Sequence, residues 1–152
     1  MAPGVVAGLI PYLLTGWRVQ PVWGPIRVLG GAITVLALLF LVSAFVRFVV
    51  EGLGTPAPIA PTHHLVVGGL YRYVRNPMYL AVIAAIVGQA LLFGQLGLIA
   101  YALVAGLAMV AFVKVYEEPY LADRFGAEYE EYRQAVPGWF PRFTPWRPDR
   151  TA

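Results

Sequence analysis

The sequence predicts an all-α integral membrane protein of about four transmembrane helices, the last two forming a hairpin, with a cytoplasmic amphipathic helix after them. Three observations carry that prediction. Hydrophobic residues make up 59% of the 152-residue chain and charged residues 12%, against roughly 25% charged in an average soluble domain. Charge-free stretches matching the thickness of a bilayer recur along the chain. Near the C-terminus, Leu121, Phe125, Tyr129 and Tyr132 recur at helical spacing among charged residues, the pattern of a helix with one apolar face.

Composition also removes several function classes. There is no cysteine, so a disulfide framework, a thiolate nucleophile and a thiolate metal site are all absent, and no metal centre is expected. The net charge of +3 is spread along the chain, which gives no basic stripe for nucleic acid and makes anionic lipid headgroups the expected partner. The opening residues lack the basic start and small-residue cleavage site of a secretory leader and are read as part of the mature chain. Residues 1–152 are read as a single membrane domain, with N-terminal spans over 1–50 and a functional C-terminal half over 51–146.

Gly4 to Leu14 is apolar but short and contains Pro11, which predicts a short or kinked first span. Arg18 and Arg27 flank a loop whose Trp17 and Trp23 suit the membrane interface. From Arg27 to Arg47 no charge occurs for about 19 residues, and at about 1.5 Å per residue that span matches a ~30 Å hydrocarbon core. Gly52, Gly54, Pro56, Pro58 and Pro61 then make an irregular connection.

After Arg75 the next charge is Lys114, room for roughly two spans. Phe93, Gly94, Gln95 and Gly97 mark the turn, so that 77–92 and 96–116 form the hairpin, with Gly88, Gly106 and several alanines allowing close packing. Gln89 is a lone polar residue within it, suited to an interhelical hydrogen bond or to a substrate contact. Pro119 should drive Glu118 out of helical geometry, kinking or stopping the helix there. Gly126 should interrupt the amphipathic helix, and the tail VPGWFPRFTPW, alternating prolines with aromatics, should lie extended along the interface. Lysine and arginine are denser in the 51–77 connection and the C-terminal region than in the first loop. Both therefore should face the cytoplasm, as should the N-terminus.

The chain is organised around HHLVVGGLYRYVRNPMY, from His63 to Tyr79. Asn76 is a good N-cap and Pro77 fits a first helical turn, where its missing N–H is no loss. The positive end of the helix that starts there can hold an anion, and Arg72 and Arg75 add full charges nearby. The plainer alternative is a capped helix start with arginines reaching to headgroups. Glu117 and Glu118 end the hairpin on the same side of the membrane. Gly68-Gly69 alone does not make a soluble nucleotide-binding fold.

GLYRYVRNPMYL followed by YEEPYLADRFGAEYEEYRQAVP resembles the C-terminal half of the isoprenylcysteine carboxyl methyltransferase and phospholipid N-methyltransferase superfamily, over about residues 50 to 146. The resemblance implies an integral membrane enzyme that uses S-adenosylmethionine to methylate a small lipophilic acceptor, a carboxylate, amine or thiol, entering from the bilayer. It places His63, His64, Leu65, Val66 and Tyr71 along the cofactor, with Asn76, Pro77, Met78 and Tyr79 closing over it and Glu117 facing its amino group. A carboxylate suits that ammonium, and a helix N-terminus beside a basic residue such as Arg75 suits the carboxylate of the same moiety. The histidine pair also fits ordinary polar packing. Glu118 is the nearest candidate general base for an amine or thiol, its alternative role being an ion pair with Lys114 four residues earlier.

Two positions depart from the family pattern. Asn76 stands where a histidine is usual, keeping hydrogen-bonding ability but losing a titratable group. Val113 stands where the prenylcysteine enzymes carry a substrate-binding arginine, which weakens the case for prenylcysteine as acceptor. Two rival functions remain open at the level of sequence: a sterol-type reductase binding NADPH, and a non-catalytic membrane interaction protein.

Overall fold

The computed structural model describes residues 2–52 and 64–147. His63 and the prolines of the 52–61 connection lie outside the described residues. Among those described there is no strand, and the helices are α1 (Val5–Thr15), α2 (Gly24–Gly52), α3 (Pro77–Phe93), α4 (Gly97–Phe125) and α5 (Ala127–Ala135), with a short 3-10 turn over Gly69–Arg72. Two of them, α2 and α4, are long and apolar enough to cross a membrane, while α1 and α3 are apolar but shorter. Only 11% of the most apolar window of α2 is buried within the protein. Val35, Leu36, Leu39 and Phe40 all face outward, the disposition of a helix solvated by lipid and the opposite of a soluble core helix.

Two prolines sit inside helices, and both are accommodated in the same way. In α1 a π-turn over Val5–Leu9 precedes Pro11, and the Ile10 N–H bonds to Val5 O. In α4 a π-turn over Val113–Glu117 precedes Pro119, and the Glu118 N–H bonds to Val113 O. Each bond reaches back five residues instead of four, so the ladder widens just where the proline has no N–H to give and where its ring would crowd the preceding turn. The expectation that Pro119 would drive Glu118 out of helical geometry is therefore corrected: Glu118 keeps helical angles, φ −62° and ψ −46°, and the helix does not stop there but runs on to Phe125, with the π-turn absorbing the proline. It stops at Gly126, whose φ of +52° and ψ of −122° no helix can include.

The chain divides into two compact units, residues 1–42 with 78–111 and residues 43–77 with 112–152. In the first, α2 and α3 meet backbone to backbone: a side chain on Gly30 would run into Leu91 and Leu92 and into the carbonyl of Gly88, and one on Gly88 would strike Thr34. Small residues fill its core, with Ala37, Ala85, Ala90, Ala102 and Ala105 all buried around Ile86, Leu98 and Met109. Gln89, buried to 7% exposure, donates from Nε2 to Ala7 O (2.7 Å) and accepts at Oε1 from the Trp17 indole (3.1 Å). The interhelical role expected of it is thus the one observed, and the Trp17 N–H turns inward to make it. The α3–α4 turn, with Gly94 at φ +70°, is fastened to the α1–α2 connection by Gln20 N–H to Phe93 O and Gln95 Nε2 to Arg18 O.

The second unit has less regular structure and more side-chain bonding. Glu51, near the end of α2, pairs with Arg47 at 2.7 Å and accepts the Gly68 N–H at 2.9 Å. On α5, Tyr129 and Tyr132 are buried while the charged residues face outward. Gly126 separates the helix segments as expected. The tail is extended, as its prolines suggest, but it is also stitched to the segment before α3.

Candidate functional site

The segment leading into α3 is held from both sides within the second unit. Its 3-10 turn buries Tyr71, whose carbonyl accepts the Tyr132 hydroxyl at 2.7 Å. The tail bonds to its outer edge through Trp146 N–H to Arg72 O, Arg142 N–H to Tyr73 O and Arg75 N–H to Pro137 O, all at 2.9 Å. Arg72 Nε returns a bond to Trp146 O at 2.7 Å. A loop without a ladder of its own thereby pairs several of its backbone groups through the tail.

At the end of this segment Arg75 points to α4. Its Nη1 lies 2.9 Å from Glu118 Oε1 and donates to the Tyr129 hydroxyl at 2.9 Å. The pair is only partly solvated, at 15% and 23% side-chain exposure, and Arg75 Nε is buried without a hydrogen-bond partner. The ion pair expected between Glu118 and Lys114 is replaced by this one, because the π-turn shifts the register of α4 between those two residues. Asn76 is buried at 7% exposure, and its Nδ2 donates to Gly138 O at 3.0 Å. Pro77 opens α3 as predicted, and no acidic residue occupies its first turn.

The other expected site residues fall as follows. His63 lies outside the described residues, His64 is exposed, Leu65 is half-buried and Val66 is buried. Met78 and Tyr79, half-buried in the first turn of α3, belong to the first unit. Glu117 is half-buried as the last residue of the π-turn, directly before the glutamate that Arg75 holds. Val66, Tyr71, Arg75, Asn76, Pro77, Glu117 and Glu118 all belong to the second unit, and Arg75 is the residue that ties the segment before α3 to Glu118 of α4.

Sequence reasoning missed Tyr129 and Tyr132 as parts of this cluster. Their i, i+3 spacing on a charged helix marked a buried face, but only the fold shows that one hydroxyl receives Arg75 and the other supports Tyr71. Burial pushes the Tyr132 hydroxyl well above the ordinary tyrosine range. Tyr129 moves the same way, chiefly through burial, with Arg75 acting against the shift and Glu118 adding to it. Both are therefore protonated at neutral pH, as the donor role of Tyr132 requires.

Comparison with known proteins places this arrangement. The family model described as phospholipid methyltransferase matches residues 25–128. The chain belongs to the phospholipid methyltransferase family. Among curated relatives, protein-S-isoprenylcysteine O-methyltransferase B of Arabidopsis thaliana is 38% identical over 80 residues, 52% of this chain and 40% of that protein. Protein-S-isoprenylcysteine O-methyltransferase of Schizosaccharomyces pombe is 37% identical over 82 residues, 52% of this chain and 34% of that protein. A probable protein-S-isoprenylcysteine O-methyltransferase of Oryza sativa subsp. indica is 38% identical over 80 residues, 41% of its length. The chain thus matches well under half the length of these relatives. No solved structure matches it. The resemblance read from GLYRYVRNPMYL and YEEPYL is borne out, and the residues matched by the phospholipid methyltransferase model include the Arg75–Glu118 pair but stop short of Tyr129, Tyr132 and the tail.

Proposed function

We propose that this protein is an integral membrane, S-adenosylmethionine-dependent methyltransferase acting on a lipophilic acceptor that enters from the bilayer. The observation that carries the proposal is the docking of the Arg72–Pro77 segment against the Glu117-Glu118 turn of α4, through Arg75 and Glu118 at 2.9 Å, inside the residues that define family membership. In this reading the four apolar helices are embedded and the Arg72–Arg75 segment and the C-terminal region face the cytoplasm, where arginine-rich segments belong.

The residues present fit the methyl donor in chemistry. Glu117, half-buried at a widened turn, suits the ammonium of the methionine moiety, and the dipole-positive end of α3 suits its carboxylate. Val66, Leu65 and Tyr71 offer apolar and aromatic surface for the adenine, with His64 and Asn76 beside them in the same unit, while His63, Met78 and Tyr79 belong to the set by resemblance alone. When bound, S-adenosylmethionine supplies an electrophilic methyl group on a sulfonium. The protein's own part is to bind, orient and exclude water, so that an in-line approach is held ready. A carboxylate acceptor needs no general base. Glu118 is already engaged by Arg75 and Tyr129 sits on the same guanidinium, which favours a holding role for Arg75 and Glu118 over proton abstraction.

The names of the relatives make a lipophilic carboxylate the first acceptor class to try. Val113, buried at 2% exposure, offers no charge for such a group, so any cation that meets it comes from elsewhere in the fold. The test is thermal stabilisation of the detergent-purified protein by S-adenosylhomocysteine compared with NADPH. Stabilisation by the former alone is expected; stabilisation by NADPH alone, or by neither, would overturn the proposal in favour of a reductase or a non-catalytic protein.

A further inference from the structure

Phe140 and Phe143 are the most exposed large apolar side chains among the described residues, at 84% and 102%. They do not belong to a loose end. Between and around them, Arg142 Nη1 donates to Ala135 O at 2.7 Å, its backbone N–H bonds to Tyr73 O, Pro141 and Pro145 restrict the chain, and the ring of Trp146 packs on Tyr132 with centroids 5.5 Å apart. The cost of ordering this loop has thus been met by bonds to the protein, while two phenyl rings are left facing outward. Water is a poor medium for both rings.

We infer that the Phe140–Phe143 loop inserts into the headgroup boundary of an anionic lipid leaflet, and that this insertion holds the Arg72–Asn76 segment in place. The composition fits that partner. From Val136 to Arg147 the segment carries Arg142 and Arg147 and no acidic residue, with Trp139 and Trp146 half-buried beside the phenyls. Aromatic rings with arginines and without carboxylates match the layer where hydrocarbon meets anionic headgroups. The same loop supplies the carbonyls of Pro137 and Gly138 to Arg75 and Asn76, so a bilayer that grips the phenyls also steadies the entry to α3. This inference stands whether or not the protein methylates anything, because it concerns only where the loop lies and what it holds.

The absence of cysteine permits a direct test on the full chain reconstituted in vesicles of phosphatidylcholine and phosphatidylglycerol. A nitroxide is attached to Phe140→Cys, Phe143→Cys or, as a control on the exposed face of α5, Glu131→Cys. Labels at 140 and 143 are expected to collide with oxygen several-fold more, relative to a water-soluble nickel chelate, than the label at 131. Equal accessibility at all three sites overturns insertion, and spin–spin broadening with loss of both collisions would identify a second copy of the chain as the occupant and overturn it too. For the mechanical part, hydrogen exchange at the Arg75 amide in the same vesicles is expected to quicken several-fold in a Phe140→Ser/Phe143→Ser variant. Unchanged exchange would sever the link between the loop and the site.

Discussion

The two units solve the same problem, how to satisfy backbone and polar groups beside lipid, in different ways. In the first, helices with internally paired backbones meet over glycine and alanine, Gln89 being its one buried polar side chain among the described residues. In the second, irregular segments are closed by side chains and by the tail: Glu51 on Gly68, Tyr132 on Tyr71, Asn76 on Gly138 and Arg75 on Glu118. The first arrangement is closely packed and almost wholly apolar at its contacts. The second holds carbonyls, amides and charges in fixed positions, and it depends on many specific bonds to do so.

That contrast predicts how each unit fails. The largest effect should come from Gly30→Val, since the added atoms meet backbone on α3 that cannot step aside; a loss of about 3 kcal/mol or more is expected, seen as a collapse of the melting temperature in detergent. A loss below that of an ordinary surface change would show that the helices can separate cheaply. Next is Arg75→Ala, which strands Glu118 in a partly buried site. Fully buried pairs lose about 3–5 kcal/mol in this way; with this pair partly solvated, about 2 kcal/mol is expected. Part of it should return in the Arg75→Ala/Glu118→Ala double variant, whereas Lys114→Ala should change stability little.

Smaller still is Tyr132→Phe, which removes the bond to Tyr71 O and should cost about 1 kcal/mol near neutral pH. Its pH signature separates the units further. Because burial raises the Tyr132 pKa in the folded protein, the unfolded chain releases that proton first, near its ordinary value of about 10. The stabilising contribution is therefore complete below about pH 10 and is lost as pH climbs above it. Thermal melts should fall along that alkaline limb and fall less steeply in Tyr132→Phe, with Tyr129 keeping some of the slope. Identical limbs would mean that Tyr132 is not buried as its surroundings indicate.

The helices, the Gly94 turn, the break at Gly126 and the start of α3 at Pro77 were legible in the sequence, because each depends on local rules of periodicity, charge-free length and backbone freedom. So were the glutamate turn and the Asn-Pro motif as parts of a family pattern. The partner of Glu118 was not. Counting four residues back gives Lys114, but the π-turn that absorbs Pro119 changes the register, and only the fold brings Arg75 across to Glu118. Nor could composition show that the tail, read correctly as extended, would spend its carbonyls on Arg75 and Asn76. Bonds between irregular segments far apart in sequence leave no periodic trace.

The central claim, that the second unit cradles a zwitterionic methyl donor with Glu117 on its ammonium, is tested most directly by calorimetric titration of S-adenosylhomocysteine into the purified protein and its Glu117→Ala variant. Loss of a charge-assisted bond of about 2 kcal/mol corresponds to roughly 30-fold in affinity. The wild-type protein should bind and the variant should weaken by at least about that factor, with its helix content retained. Equal affinity in the two proteins would contradict the account.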